Sequence, residues 1–110
     1  MPLTKPFRLV LEGLPDEASH EDMRYVGALV RKLEEYVNLF YHKHRDYGPG
    51  NIAAFGEIGV VVRLSDKMER LKNLFKNGLD PSNESLRDTV LDILGYAAIL
   101  LMVMDGDWSS

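Results

Sequence analysis

Arg63-Leu-Ser-Asp66-Lys67-Met-Glu69-Arg70-Leu-Lys-Asn73-Leu74 brings two arginines, two lysines, two carboxylates and an amide into one short stretch. Val60, Val61, Leu64, Met68, Leu71 and Phe75 recur through it at helical spacing, so it reads as one helix with an apolar side and a densely charged side. Arg63, Asp66, Arg70 and Asn73 share a face, Glu69 flanks it, and Gly59 sits on it one turn earlier. Asn51 is a suitable N-cap for this helix, Gly56 and Gly59 are soft points near its start, and Asn77-Gly78 is a suitable end. The spacing therefore predicts a helix over about 51–76.

Asp80-Pro81-Ser82-Asn83 then makes a turn, and a further helix runs over about 83–104 with Leu86, Val90, Ile93, Leu94, Ala97, Leu100 and Leu101 on its core side. Its second half is apolar nearly all round, because Ile99, Met102 and Val103 lie away from that stripe; such a helix is expected to be buried on every side. Upstream, Ser19-His-Glu-Asp22 resembles a capping box with acids in the first turn. Val26, Leu29, Val30, Leu33, Tyr36, Val37, Phe40 and Tyr41 form the apolar stripe of a helix over about 19–45, which ends in His42, Lys43, His44 and Arg45 before Gly48-Pro49-Gly50. Pro2, Pro6, Gly13 and Pro15 exclude a long helix before residue 19, where Phe7-Arg-Leu-Val-Leu-Glu reads as a short strand or extended arm. The tail after Asp105 reads as polar and frayed apart from Trp108. The expected fold is all-α: a single domain over 1–110, an antiparallel bundle of three long helices with a short N-terminal arm. Helices this long expose more apolar surface than three of them cover mutually, so a homo-oligomer is expected.

A length of 110 residues suits one domain, and 45% hydrophobic with 27% charged residues suits a globular one. The net charge of −4 argues against binding to duplex DNA through the field of the whole chain, although a local basic patch can hold a small anion. There are no cysteines, so thiolate metal sites, disulfides and cysteine nucleophiles are excluded. The longest apolar run, Ile93 to Met104, is shorter than the roughly 20 residues a bilayer span needs. The N-terminal residues lack the apolar core of a signal peptide, so no membrane partner and a cytoplasmic location are expected.

Glu84, Asp88, Asp92 and Gly95 form one ridge on the last helix, with Ser85 beside it. A row of acids repels itself unless cations or a divalent metal neutralise it. The ridge continues into Ile99 and Met102, towards protein, and a mid-helix glycine is costly unless something approaches closely. Asp66 (or Glu69), Glu84, Asp88 and Asp92 are therefore the candidate carboxylates for a divalent metal and for catalysis, and Arg63, Lys67, Arg70 and Asn73 the candidate phosphate-binding set. Tyr47, beside the Gly48-Pro49-Gly50 turn, is a candidate to stack on a base. A plain salt-bridged helix pair accounts for the same charges. The three histidines offer no shared metal site or hydrolase triad, and no Walker or dinucleotide fingerprint is present.

Asp46-Tyr47-Gly48, then Gly59 with Arg63, then Asp66-Lys67-Met-Glu-Arg70-Leu-Lys-Asn73-Leu74, and finally Glu84-Ser85-Leu-Arg-Asp88-Thr89-Val-Leu-Asp92-Ile-Leu-Gly-Tyr96-Ala97 together resemble the phage and bacterial family called nucleotide modification associated domain one, over roughly residues 42 to 103. The resemblance implies a nucleotide-linked role, in a phage-infected host cell's cytoplasm, without supplying a reaction. The layout is also reminiscent of the all-α nucleoside triphosphate pyrophosphatases of the MazG and dimeric dUTPase type, which bind magnesium with paired acids on two helices. That likeness implies Mg²⁺-dependent hydrolysis of a nucleoside or deoxynucleoside triphosphate. The chain departs from it in having one acid pair three apart, with cations interleaved. Non-catalytic nucleotide sequestration and a purely structural oligomer are the alternatives.

Overall fold

A computed structural model describes residues 8–9, 13, 17, 19–47, 54–78, 80 and 84–108, and of residues 44–47 the backbone alone. Three helices account for nearly all of these: α1, His20–Tyr47; α2, Gly56–Lys76; and α3, Glu84–Met104. No strand occurs among the described residues, and Arg8 and Leu9 are irregular backbone. The remaining residues of the expected arm, and Asn51, lie outside the described residues. The chain forms two compact units, Met1–Asp46 and Tyr47–Ser110.

In the first unit, α1 starts where its cap residues dictate. The Ser19 hydroxyl accepts from the Asp22 amide at 3.0 Å, and the Asp22 carboxylate accepts from the Ser19 amide at 3.0 Å. Two N–H groups without intrahelical partners are satisfied reciprocally, with aspartate in the place more often held by glutamate. The Ser19 amide, and then its hydroxyl, hold the Asp22 carboxyl below its ordinary value of 3.8.

In the second unit, α2 and α3 pack as an antiparallel hairpin. Lys67 Nζ lies 3.0 Å from Asp92 Oδ2, and Arg70 Nε donates to Thr89 Oγ1 at 3.3 Å. Three residues forward on α2 are thus three residues back on α3. The same register sets Val60 level with Ile99 and Leu74 level with Ser85, next to Leu86. Val60, Ile99 and Leu86 are buried, each contributing roughly 1.5–3 kcal/mol.

This register rotates both helices from the expected orientation. α2 turns the line Val60-Arg63-Lys67-Arg70-Leu74 towards α3, while Val61, Met68 and Phe75, expected in the core, are exposed. On α3, Thr89, Gly95 and Ile99 are buried, whereas Val90, Ala97 and Leu101 are exposed. Apolar periodicity marks which positions can be buried; the Lys67–Asp92 and Arg70–Thr89 pairs decide which are buried against α3.

Helix ends follow glycine geometry. Ala54 and Phe55 form a turn, Gly56 has φ +61°, and α2 begins at Gly56; the expected cap at Asn51 lies outside the described residues. A side chain at Gly59 would bring its Cβ to 2.8 Å from Phe55 Cβ, so the close approach at Gly59 is made by the preceding turn. Gly78, at φ +73°, closes α2 with its amide on the Phe75 carbonyl, as Asn77-Gly78 predicts. After α3 the described residues 105–108 are ordered rather than frayed. Gly106 at φ +79° donates to the Val103 carbonyl at 3.2 Å and Asp107 to the Met102 carbonyl at 2.8 Å, the two bonds of a Schellman motif. The turn carries Trp108 into a buried position.

Gly106→Val forces a β-branched residue into the left-handed region and is expected to cost about 1–2 kcal/mol. Urea unfolding followed by the fluorescence of Trp108, the single tryptophan, measures the loss.

Candidate functional site

At about 100° per residue, the positions flanking the hairpin's contact line fall on two sides. In an antiparallel pair, residues rotated in the same sense from that line lie on the same side. Asp66 and Asn73 of α2 thereby share one side with Glu84 and Asp88 of α3, and Arg63, Arg70 and Asp92, on the contact line, lie at its edge. The cationic face and the acidic ridge are thus neighbours across the hairpin. The other side carries Val61, Met68 and Phe75 of α2 and Met104 of α3, all exposed, while the exposed Val90 and Leu101 lie on the face of α3 turned away from α2.

The side chains at the seam are part-buried and mutually committed. Lys67 is 32% and Asp92 19% exposed, so their pair is screened less than a surface one. Thr89 is 2% exposed; its hydroxyl donates to the Ser85 carbonyl at 2.8 Å and accepts from Arg70. A threonine bonded four residues back satisfies itself locally and still offers an acceptor across the hairpin. Sequence reasoning passed over Thr89. Its signal is a polar residue on the buried line between Leu86 and Ile93.

The remaining expected site residues are more open. Asp66, Asn73, Glu84 and Asp88 are exposed, and Arg63 is half-buried. Glu69 pairs with Lys72 at 3.3 Å on open solvent, an i, i+3 contact of little energetic weight. The Tyr47 side chain lies outside the described residues. Among the described residues no three of the histidines and acids converge as a metal-holding group. The hairpin places Asp92 against the candidate cation Lys67 at bonding distance.

A second polar centre, also missed in sequence, lies in the first unit. Glu34 on α1 is 2% exposed. One carboxylate oxygen accepts from Arg8 Nη1 at 2.8 Å; the other accepts from Arg31 Nη1 at 2.7 Å and from the Leu9 amide at 3.4 Å. The Arg8 hydrogen bond is the main force holding the Glu34 carboxyl below its ordinary value of 4.5; burial opposes it, and the Leu9 amide and both arginine charges assist. The only sequence signal is Arg31 three residues earlier, an unremarkable surface pairing until Arg8 arrives from far along the chain.

The chain matches no protein-family profile, no curated protein and no solved structure. No described helix is long and apolar enough to cross a membrane.

Two expectations follow. Asp92→Ala strips Lys67 of its carboxylate and costs about 1–3 kcal/mol. Lys67→Met with Asp92→Leu recovers most of that, since an apolar pair of similar volume replaces a part-buried ion pair without loss; chemical denaturation of the singles and the double gives the coupling. For Glu34 the folded-state value lies below the unfolded one, so its stabilisation is fully present above about pH 4.5 and is lost as pH falls through the folded value. Exchange protection of the Leu9 amide is expected to disappear across that acid range, and at higher pH in Arg8→Ala.

Proposed function

We propose that the charged side of the α2–α3 hairpin binds a nucleotide or deoxynucleotide, with phosphate oxygens held by Arg63, Lys67 and Arg70 and polar assistance from Asn73. The observation that carries this reading is the cation line itself. Arg63, Lys67 and Arg70 follow at i, i+4 and i+7, and Asp92 and Thr89 pin the second and third of them at bonding distance. A cation held by a neighbour is pre-oriented, which lowers the entropy lost on grasping an anion. The bond to Thr89 uses one of the five N–H groups of the Arg70 guanidinium, a fork suited to phosphate. The resemblance of residues 42–103 to a nucleotide-associated phage and bacterial family supports the same ligand class, and Tyr47 is the proposed stacking partner for the base.

Asp66, Glu84, Asp88 and Asp92 are the proposed carboxylates for Mg²⁺. The donor set suits the ion, which binds oxygen and is usually held by one or two carboxylates together with substrate phosphates and water. Asp66, Glu84 and Asp88 present such oxygens on the same side of the hairpin as the cations, and Asp92 neutralises Lys67 beside them. When bound, Mg²⁺ supplies charge neutralisation and activation of water; the arginines position and neutralise the phosphates. Turnover is thus a second step built on binding.

One observation favours a second reading, a purely structural oligomeric helical protein, rather than one that sequesters or hydrolyses a nucleotide. Lys67 and Arg70 both have partners inside the hairpin, so the cations can serve the fold alone.

Thermal shift with each deoxynucleoside triphosphate, with and without Mg²⁺, separates the readings. Stabilisation by a nucleotide, weakened about ten- to a hundredfold in apparent affinity by Arg63→Ala or Arg70→Ala, is expected. No shift with any nucleotide sinks the binding reading. Release of pyrophosphate that is lost in Asp66→Ala and Asp88→Ala establishes hydrolysis; binding without release assigns a sequestering role.

A further inference from the structure

The end of α2 holds a chemically reactive pair of residues under a hydrogen bond. An asparagine deamidates when the backbone nitrogen of the next residue attacks its side-chain carbonyl carbon. Glycine as that next residue hinders the approach least, because it has no Cβ. Asn38, Asn51, Asn73, Asn77 and Asn83 are followed by leucine, isoleucine, leucine, glycine and glutamate, so Asn77-Gly78 is the susceptible pair of this chain. Both residues are exposed, and a Cβ built at Gly78 would meet nothing within 4 Å, so water and base reach the pair.

The helix stop nevertheless holds the reaction back in two ways. The Gly78 amide, the attacking nitrogen, donates to the Phe75 carbonyl at 3.0 Å. Ring closure also requires that nitrogen to eclipse Asn77 Cβ about the Asn77 Cα–C bond. At the observed ψ of 4° it eclipses the Asn77 nitrogen instead, a third of a turn away on a tetrahedral carbon. The Asn77 amide, bonded to the Asn73 carbonyl at 3.1 Å, keeps the residue in that conformation.

We propose that Asn77 is a deamidation site gated by the last turn of α2. When the turn opens, the Gly78 nitrogen leaves Phe75, gives its proton to base and bonds to the Asn77 side-chain carbonyl carbon. The carbon–nitrogen bond of the side-chain amide breaks, and ammonia departs with a proton from water. Water then opens the succinimide at either carbonyl, giving aspartate or isoaspartate. No oxidant, metal or second protein takes part. The change is one-way and alters the helix end. A carboxylate replaces an amide at the negative end of the helix dipole, and isoaspartate inserts a methylene into the backbone that Gly78 needs in register. Each chain thus carries a timer set by the opening of α2 and not by solvent exposure alone. The proposal does not rest on the nucleotide reading, since no ligand takes part.

Peptide mass spectrometry of the full chain, incubated at mildly alkaline pH in buffer and in unfolding urea, tests it. In urea the Asn77 peptide is expected to gain the mass of an NH₂-to-OH exchange before any other asparagine peptide. In the folded chain the same reaction is expected about ten- to a hundredfold slower, since one or two hydrogen bonds must open at up to roughly tenfold each. Hydrogen exchange of the Gly78 amide reports the same opening, so its slowing relative to the unfolded chain is expected to match. Lys76→Glu replaces the exposed cation of the last turn by an anion at the negative end of the helix. It is expected to raise the folded-state rate about two- to fivefold and to leave the rate in urea nearly unchanged. Equal rates in buffer and in urea, earlier deamidation at another asparagine, or a folded-state rate that ignores Lys76→Glu overturns the proposal.

Discussion

A cation and a carboxylate that share a seam set the geometry of the second unit. Lys67 and Asp92 are each too buried to be indifferent to their partner and too charged to be buried without one. Together with Arg70 on Thr89, they lock α2 to α3 at one register. A slip of one helical turn would still offer Lys67 an acid, Asp88, but it would trade Val60 against Ile99 for Val60 against Gly95. Apolar burial at one end and polar pairing in the middle therefore agree on a single alignment. Polar pairs inside a helical interface are weak sources of net stability and good sources of register.

Once that register is set, the two-sidedness of the hairpin follows without further assumptions. A helix carrying an apolar heptad seam and, next to it, a 3-4 line of cations has to choose which of them faces its neighbour. Because α3 takes the cationic line, the seam that looks most like a core in the sequence stays open. Asp66 of α2 lies on the same side of the hairpin as Glu84 and Asp88 of α3. One packing decision thus sets which charges lie at the seam and which apolar side chains are exposed.

The first unit shows the same logic on a smaller scale. Glu34 is a buried carboxylate on a helix, tolerable because two guanidinium groups and a backbone amide converge on its two oxygens. Arg31 comes from the same helix, whereas Arg8 and Leu9 come from irregular backbone more than two dozen residues earlier. A short segment without secondary structure is thus held on α1 by one acid. The bonds it makes are charge-assisted, so their strength follows the ionisation of Glu34.

Local chemistry was legible in the residues themselves. The helices, the capping box at Ser19 and Asp22 and the stop at Asn77-Gly78 all rest on contacts within a few residues or on periodicity that survives any packing. Periodicity cannot say which of two adjacent stripes meets a neighbour, because both are helical and both have suitable residues. That choice belonged to the tertiary structure, where Lys67 needed Asp92 and Arg70 needed Thr89, and it exposed Val61, Met68 and Phe75. Tertiary contacts likewise singled out Glu34, whose partner Arg8 is distant in sequence, and replaced the expected frayed tail with a Schellman turn that buries Trp108. The sequence by itself determined where helices run and which side chains carry charge; the fold decided which of those charges meet, because a pair's energy depends on a distance that only packing sets.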